Sequence, residues 1–178
     1  MTEPAFLTAH FTPAGDTIHA DFHLTLDNHV EEVWAALTEP QWLARWLAPG
    51  EIELSEGGSA RLDFGESGAV IESRVTAFAP QRLLEYSWSR PGEPLRPLRW
   101  SLEPIGPTTL LTLRLSMPAK EDAARAAAGF AAHLEMLQTA LIGVPTKFPF
   151  AVFKEARDAY REQVAQLSAE RRTVQVSS

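Results

Sequence analysis

His19, Asp21 and His23 stand at i, i+2 and i+4, the alternation that places three side chains on one face of a strand, and two imidazoles with a carboxylate form a metal-ligand set. Same-face neighbours along a strand are about 7 Å apart, wide for three ligands on one ion, so a solvated outer face is the better account and no metal site is expected. His133 lies one residue before Leu134 in a helical apolar stripe, where it can reach a pocket rim as a hydrogen-bonding group or proton acceptor. A lone His at such a boundary is more often satisfied by backbone or water. Glu72, Glu85 and Glu103, with Arg74, Arg99 and Arg114, sit among apolar strand residues. Inward carboxylates in pairs would suit acid–base work, and an inward Arg would anchor a ligand carboxylate through a bidentate contact. Glu85 falls between Leu84 and Tyr86 and so points outward; for the others the sequence leaves the face open.

No G-x-S-x-G, P-loop, G-x-G-x-x-G or H-E-x-x-H string is present, so no catalytic residue and no cofactor is assigned. The chain has no Cys, which removes disulfides, zinc–thiolate sites, iron–sulfur clusters and cysteine nucleophiles together. What remains is aromatic. Trp46, Phe64, Tyr86, Trp88 and Trp100 belong to apolar strand or short-helix faces, and Phe130 belongs to a helix that faces them. A concave sheet packed on one helix does not always fill its own middle, and such a cavity takes ligands that bury apolar surface with a few polar anchors. With Leu113, His133 and Leu137, these rings form the candidate ligand-binding set. Alternatively they close-pack into a solid core.

The elements that must position them follow from periodicity. The 178 residues fit one domain, and 23 acidic against 16 basic residues leave a net charge of −7, which repels nucleic acid and anionic membranes. The N-terminus has no basic residue ahead of an apolar run and nothing approaches a membrane span, so a soluble, cytoplasmic protein is expected. Residues 1–16 read as an arm. From Thr17, apolar Ile18, Ala20, Phe22, Leu24 and Leu26 alternate with polar residues as a strand buried on one face. Asn28 and Glu31 have capping-box spacing before a short helix carrying Val30, Val33, Trp34 and Leu37; Pro40 opens a second, with Trp42, Leu43 and Trp46. Between Glu51 and Met117, turn signals recur at Gly57-Gly58, Gly65–Gly68, Pro80-Gln81, Pro91–Pro94 and Pro104–Pro107, which predicts a meander of six strands and seven in all. Lys120–Ile142 reads as the longest helix, with Phe130, Leu134, Leu137 and Leu141 on one stripe. A third helical stretch runs from Val152 to Leu167, ahead of a frayed tail beyond Arg171.

This order of elements is that of a helix-grip fold, and several strings carry the likeness. VWAALTEPQWLARWLAPG, EGGSARLDF, APQRLLEYSW, TTLLTLRLSM and AAGFAAHLEMLQTALIG occur in that order between Thr17 and Gly143. Together they resemble the START-like (SRPBCC) superfamily, in its heat-shock-protein ATPase activator homologue-like branch. Two departures bear on pocket shape: Phe130 and Leu47 stand where members of the branch often have tryptophan. FPFAVFKEARDAYREQ is similar to a C-terminal extension of some bacterial members. The resemblance implies an α+β fold, a seven-stranded curved antiparallel sheet wrapped around a long C-terminal helix with two short helices after strand one. It implies an arm over 1–16, the helix-grip domain over 17–143, and an extension over 144–178 that packs on the domain or pairs two copies as a homodimer. It also implies binding or sensing of a small hydrophobic or amphipathic ligand between sheet and helix, a role that can extend to stress response. The alternatives it carries are a cyclase or hydrolase of aromatic or polyketide-like substrates and a chaperone-interaction module.

Overall fold

The computed structural model describes residues 6–65 and 68–176. Residues 1–5 of the expected arm, two residues of the 65–68 turn and the last two of the tail lie outside them. The chain forms β1 (His10–Ala14), β2 (Thr17–Leu26), α1 (Val30–Thr38), α2 (Pro40–Trp46), β3 (Gly50–Ile52), β4 (Ser59–Asp63), β5 (Val70–Ala79), β6 (Leu83–Ser87), β7 (Pro97–Ile105), β8 (Thr108–Pro118), α3 (Ala123–Leu141) and α4 (Phe150–Val176). The strands make one curved antiparallel sheet in the order β1-β2-β8-β7-β6-β5-β4-β3.

There are eight strands where the sequence pattern predicts seven. The additional one, β1, is hidden in the arm because Pro13 and Gly15 obscure its alternation. It is an edge strand, the place in a sheet where a proline's missing N–H does least harm. It pairs Ala14 with Thr17 across a tight turn in which Gly15 takes the left-handed conformation, at φ +63.

Register matches apolar to apolar on the inner face. Ile18 opposes Met117, Phe22 opposes Leu113, Leu113 in turn opposes Trp100, and Trp100 opposes Leu84. Because side chains alternate, the same register puts Asp21 opposite Arg114 and Glu85 opposite Arg99 on the outer face. α3 buries Phe130, Leu134 and Leu137 against the inner face, while α1 and α2 close the end where Val33, Leu37, Leu43 and Trp46 are buried.

Two helix details differ from the sequence expectation. The N-cap of α1 is His29 and makes no side-chain cap bond. Asn28 instead donates from Nδ2 to Glu32 (2.9 Å), while its carbonyl accepts the Thr109 hydroxyl (2.8 Å). α3 is also not the longest helix. It starts at Ala123, where the Asp122 carboxylate caps the Arg125 amide (3.1 Å). α4 is longer, at 27 residues against 19, because no proline or glycine interrupts the chain between Phe150 and Val176.

α4 packs on α3 and reaches β1. The Tyr160 hydroxyl donates to the Leu7 carbonyl, Gln163 donates to the Ala9 carbonyl (3.1 Å), and Phe6, Phe11 and Phe22 surround the Tyr160 ring edge-on. Among the described residues, no helix is long and apolar enough to cross a membrane.

Candidate functional site

Arg125, Gly129 and His133 recur every four residues along α3 and therefore share one face of the helix. On that face Arg125 is exposed while Gly129 and His133 are half-buried. Two adjoining cavities of about 610 and 650 Å³ meet over it and share Phe64, Gly68, Arg125, Gly129, His133 and Phe153 in their walls. One extends past Trp88 and Phe130 to a charged mouth at Arg90, Glu93, Arg96 and Glu121; the other extends past Leu47, Met136 and Phe148. Gly129 forms the floor. A Cβ built there meets nothing within 4 Å.

The walls are aromatic rings in edge-to-face contact. Phe64 meets Trp88 with centroids 4.7 Å apart, Trp88 meets Phe130 at 4.9 Å, His133 meets Phe64 at 5.9 Å and Phe148 at 5.3 Å. Such pairs hold ring orientation beyond what area burial supplies, so the walls are preformed surfaces rather than loose side chains.

His133 is the titratable group set into these walls. Its Nδ1 lies 2.9 Å from the Trp46 carbonyl, and a carbonyl can only accept, so the proton sits on Nδ1. Burial holds the His133 pKa below the ordinary histidine value, against the smaller opposing pull of the Trp46 carbonyl. The ring is therefore neutral near pH 7, and Nε2 is a hydrogen-bond acceptor.

At the mouth, Arg96 clamps the β6–β7 connection to the start of α3. Its Nε donates to both Glu121 oxygens (2.8 and 3.1 Å), and its Nη1 to Glu93 (2.8 Å) and to the Trp88 carbonyl (3.3 Å). The Ser87 hydroxyl accepts the Arg96 amide (2.8 Å). This fixes Trp88, whose ring forms the groove wall. The hydrogen bond from Arg96 is the main reason the Glu93 carboxyl lies below its usual range.

The structure brings together Phe64, Trp88, Phe130 and His133 from the sequence set. It does not bring Trp46, Tyr86, Trp100, Leu113 and Leu137 to the groove; these are buried in the interior. Their polar atoms are satisfied there. Trp46 donates from Nε1 to the Ala36 carbonyl (2.7 Å) and meets Trp100 edge-on at 5.7 Å, and Trp100 hydrogen-bonds the Tyr86 hydroxyl, whose pKa burial pushes up. α1 packs on β7 and β8, and α2 brings its own Trp46 against Trp100, so these rings fill space rather than line it.

Residues the sequence reading missed are Arg125, Gly129, Met136, Phe148 and Phe153. The first two were accessible through their four-residue spacing from His133. Phe148 precedes α4 and Phe153 stands on the apolar side of that helix, whose period is legible but whose packing against α3 no local pattern announces.

The outer face carries no constellation. His19 Nδ1 bonds the Ser116 hydroxyl (2.6 Å), His23 Nδ1 the Thr112 hydroxyl (3.2 Å), and Asp21 holds Arg114 bidentately (2.7 and 2.9 Å). Among the described residues no group of three or more His, Cys, Asp or Glu is placed to hold a metal. Glu72, Glu103 and Arg74 are exposed, and Glu85 pairs with Arg99 at 3.1 Å, so every carboxylate and guanidinium whose face the sequence left open points outward.

Comparison with known proteins adds the following. A family model described as Activator of Hsp90 ATPase homolog 1-like protein matches residues 27–141. Protein EF2215 of Enterococcus faecalis has a similar structure, with TM-score 0.75 and 22% identity over 89% of this chain and 91% of its own. CalU16 of Micromonospora echinospora has TM-score 0.71 and 24% identity over 89% and 96%. At these identities the two show the fold alone. DynU16, a protein in the dynemicin biosynthetic locus, has TM-score 0.63 and 27% identity over 74% of this chain but 49% of its own, so the present chain spans about half of it. No curated protein matches the chain.

Proposed function

This chain belongs to the family of Activator of Hsp90 ATPase homolog 1-like proteins, and on that premise we propose that it binds a small hydrophobic or amphipathic molecule in the groove over Gly129, without covalent chemistry. The observation that carries the reading is the groove itself, two joined cavities of about 610 and 650 Å³ walled by aromatic rings on a helix face left bare by a glycine. Each is of the size that takes one small organic ligand. A two-ring aromatic molecule that buries about 250 Å² gains about 6 kcal/mol at about 25 cal/mol per Å², before the cost of association. Apolar burial alone therefore gives weak binding, and one or two polar contacts must supply the rest. The location of a structurally similar protein in a biosynthetic locus is in keeping with a small organic ligand.

A second reading, a cyclase or hydrolase of aromatic substrates, draws on His133 as a neutral base in the groove wall. It has less support, because Glu93 and Arg96, the other groove-lining groups whose pKa is shifted, are already paired with each other, with Arg90 and with Glu121 at the mouth.

Native mass spectrometry of the purified protein and titration with an environment-sensitive naphthalene dye test the proposal. Saturable binding by the wild type, weakened at least tenfold in a folded Gly129→Leu variant, is the expected result. Wild-type protein that binds nothing saturably, or a leucine variant that binds as well, would overturn it.

A further inference from the structure

Three features of the α3 face, taken with the binding role just proposed and resting on it, define the chemistry of the occupant. The first is the acceptor. His133 Nδ1 is committed to Trp46, and Nε2 makes no hydrogen bond among the described residues although its ring lines both cavities. A ligand that places a donor at Nε2 would satisfy it.

The second feature is a cation. At the mouth, Arg90 and Arg96 are paired with Glu93 and Glu121, and Asp122 caps α3 and lies 3.8 Å from Arg161. Asp63, the carboxylate on the other side of the groove, accepts the Gly65 amide (2.8 Å). Arg125 lines both cavities, yet its guanidinium has no ion-pair partner among the described residues. The positive charge left over is thus the one that faces the groove, and a planar guanidinium matches a carboxylate in geometry as well as in charge.

The third is the spacing. Eight residues separate Arg125 from His133, about 12 Å along the helix axis at about 1.5 Å per residue. Between them lies the bare backbone of Gly129, with Phe64, Trp88 and Phe130 presenting ring surfaces around it. Allowing for the reach of the arginine, the two polar ends are a fused aromatic ring system apart.

We infer that the groove selects a hydroxylated aromatic carboxylate, its rings lying over Gly129, its hydroxyl donating to His133 Nε2 and its carboxylate held by Arg125. The class is two-ended, flat and anionic, narrower than hydrophobic molecules at large.

Four commercial probes test this on the full chain by fluorescence or calorimetric titration: 6-hydroxy-2-naphthoate, its 6-methoxy ether, 2-naphthol and naphthalene. 6-Hydroxy-2-naphthoate should bind about tenfold more tightly than 2-naphthol, which lacks the carboxylate, and about fivefold more tightly than the methoxy ether, which cannot donate. The Arg125→Gln variant should bring 6-hydroxy-2-naphthoate to within about twofold of 2-naphthol measured on the same variant. Equal binding of all four probes, or an Arg125→Gln variant that keeps the carboxylate preference, overturns the inference and leaves groove binding intact. Absence of saturable binding by every probe, in wild type and Gly129→Leu alike, overturns the binding role as well.

Discussion

Gly129→Ala separates the demands of folding from those of the groove. In the interior of an α-helix, glycine is about 0.8–1 kcal/mol less favourable than alanine, partly through the greater freedom of the unfolded chain. Gly129 sits in the interior of α3 between Ala128 and Phe130, its backbone is not left-handed, and an added Cβ meets nothing within 4 Å. None of the usual reasons for a glycine applies. The substitution is therefore expected to stabilise the protein by about 0.8 kcal/mol, seen as a higher urea midpoint with unchanged m-value and a Tm raised by about 2–3 °C. The same methyl group enters the groove floor, and overfilling a preformed site by one carbon should weaken dye or naphthoate binding about five- to tenfold. Tryptophan-fluorescence denaturation and a binding titration on one preparation measure both quantities. A loss of stability would refute the open floor; a gain with full retention of binding would refute the placement of the ligand over Gly129.

Other outcomes follow from particular contacts. His133 is held below its ordinary pKa, so the unfolded chain takes up a proton near pH 6.5 before the native state does. Its contribution to stability is complete above about pH 6.5 and is lost as pH falls towards the lowered native value. His133→Gln should flatten that part of a stability–pH profile, and a profile identical to wild type would contradict it. Tyr160→Phe removes the bond to the Leu7 carbonyl that ties the N-terminal segment under α4. It should cost about 1–2 kcal/mol in denaturant titrations and speed amide exchange at residues 6–10. Arg96→Met breaks the half-buried pair with Glu121, at a cost of about 1 kcal/mol. It should also make the β6–β7 connection more sensitive to limited proteolysis, because the clamp that holds Trp88 is gone.

Within the site, legibility tracked how local the cause was. Phe64, Trp88, Phe130 and His133 could be chosen from the sequence because each stands on or beside an apolar face of its own element. Trp46, Tyr86 and Trp100 satisfy the same criterion and yet are core. The difference lies in α1, which packs on β7 and β8, and in α2, whose own Trp46 packs against Trp100. Phe148 and Phe153 line the groove only because the chain reverses after Gly143, at φ +80, and lays the start of α4 beside α3. β1 was obscured by Pro13 and Gly15, whose usual association with loops conceals an edge strand.

By itself the sequence determined the inward–outward alternation of the clearly apolar strand faces, since a period of two is a property of consecutive residues. Asp21 and Glu85 fell on the solvent side by that rule alone, and composition alone excluded cysteine chemistry. Only the tertiary structure decided which inward faces are filled and which are left bare. That outcome depends on the relative placement of α1, α2, α3 and α4, set by contacts between residues far apart in the chain. The vacancy over Gly129 is one such outcome: it exists where no other element's side chains reach.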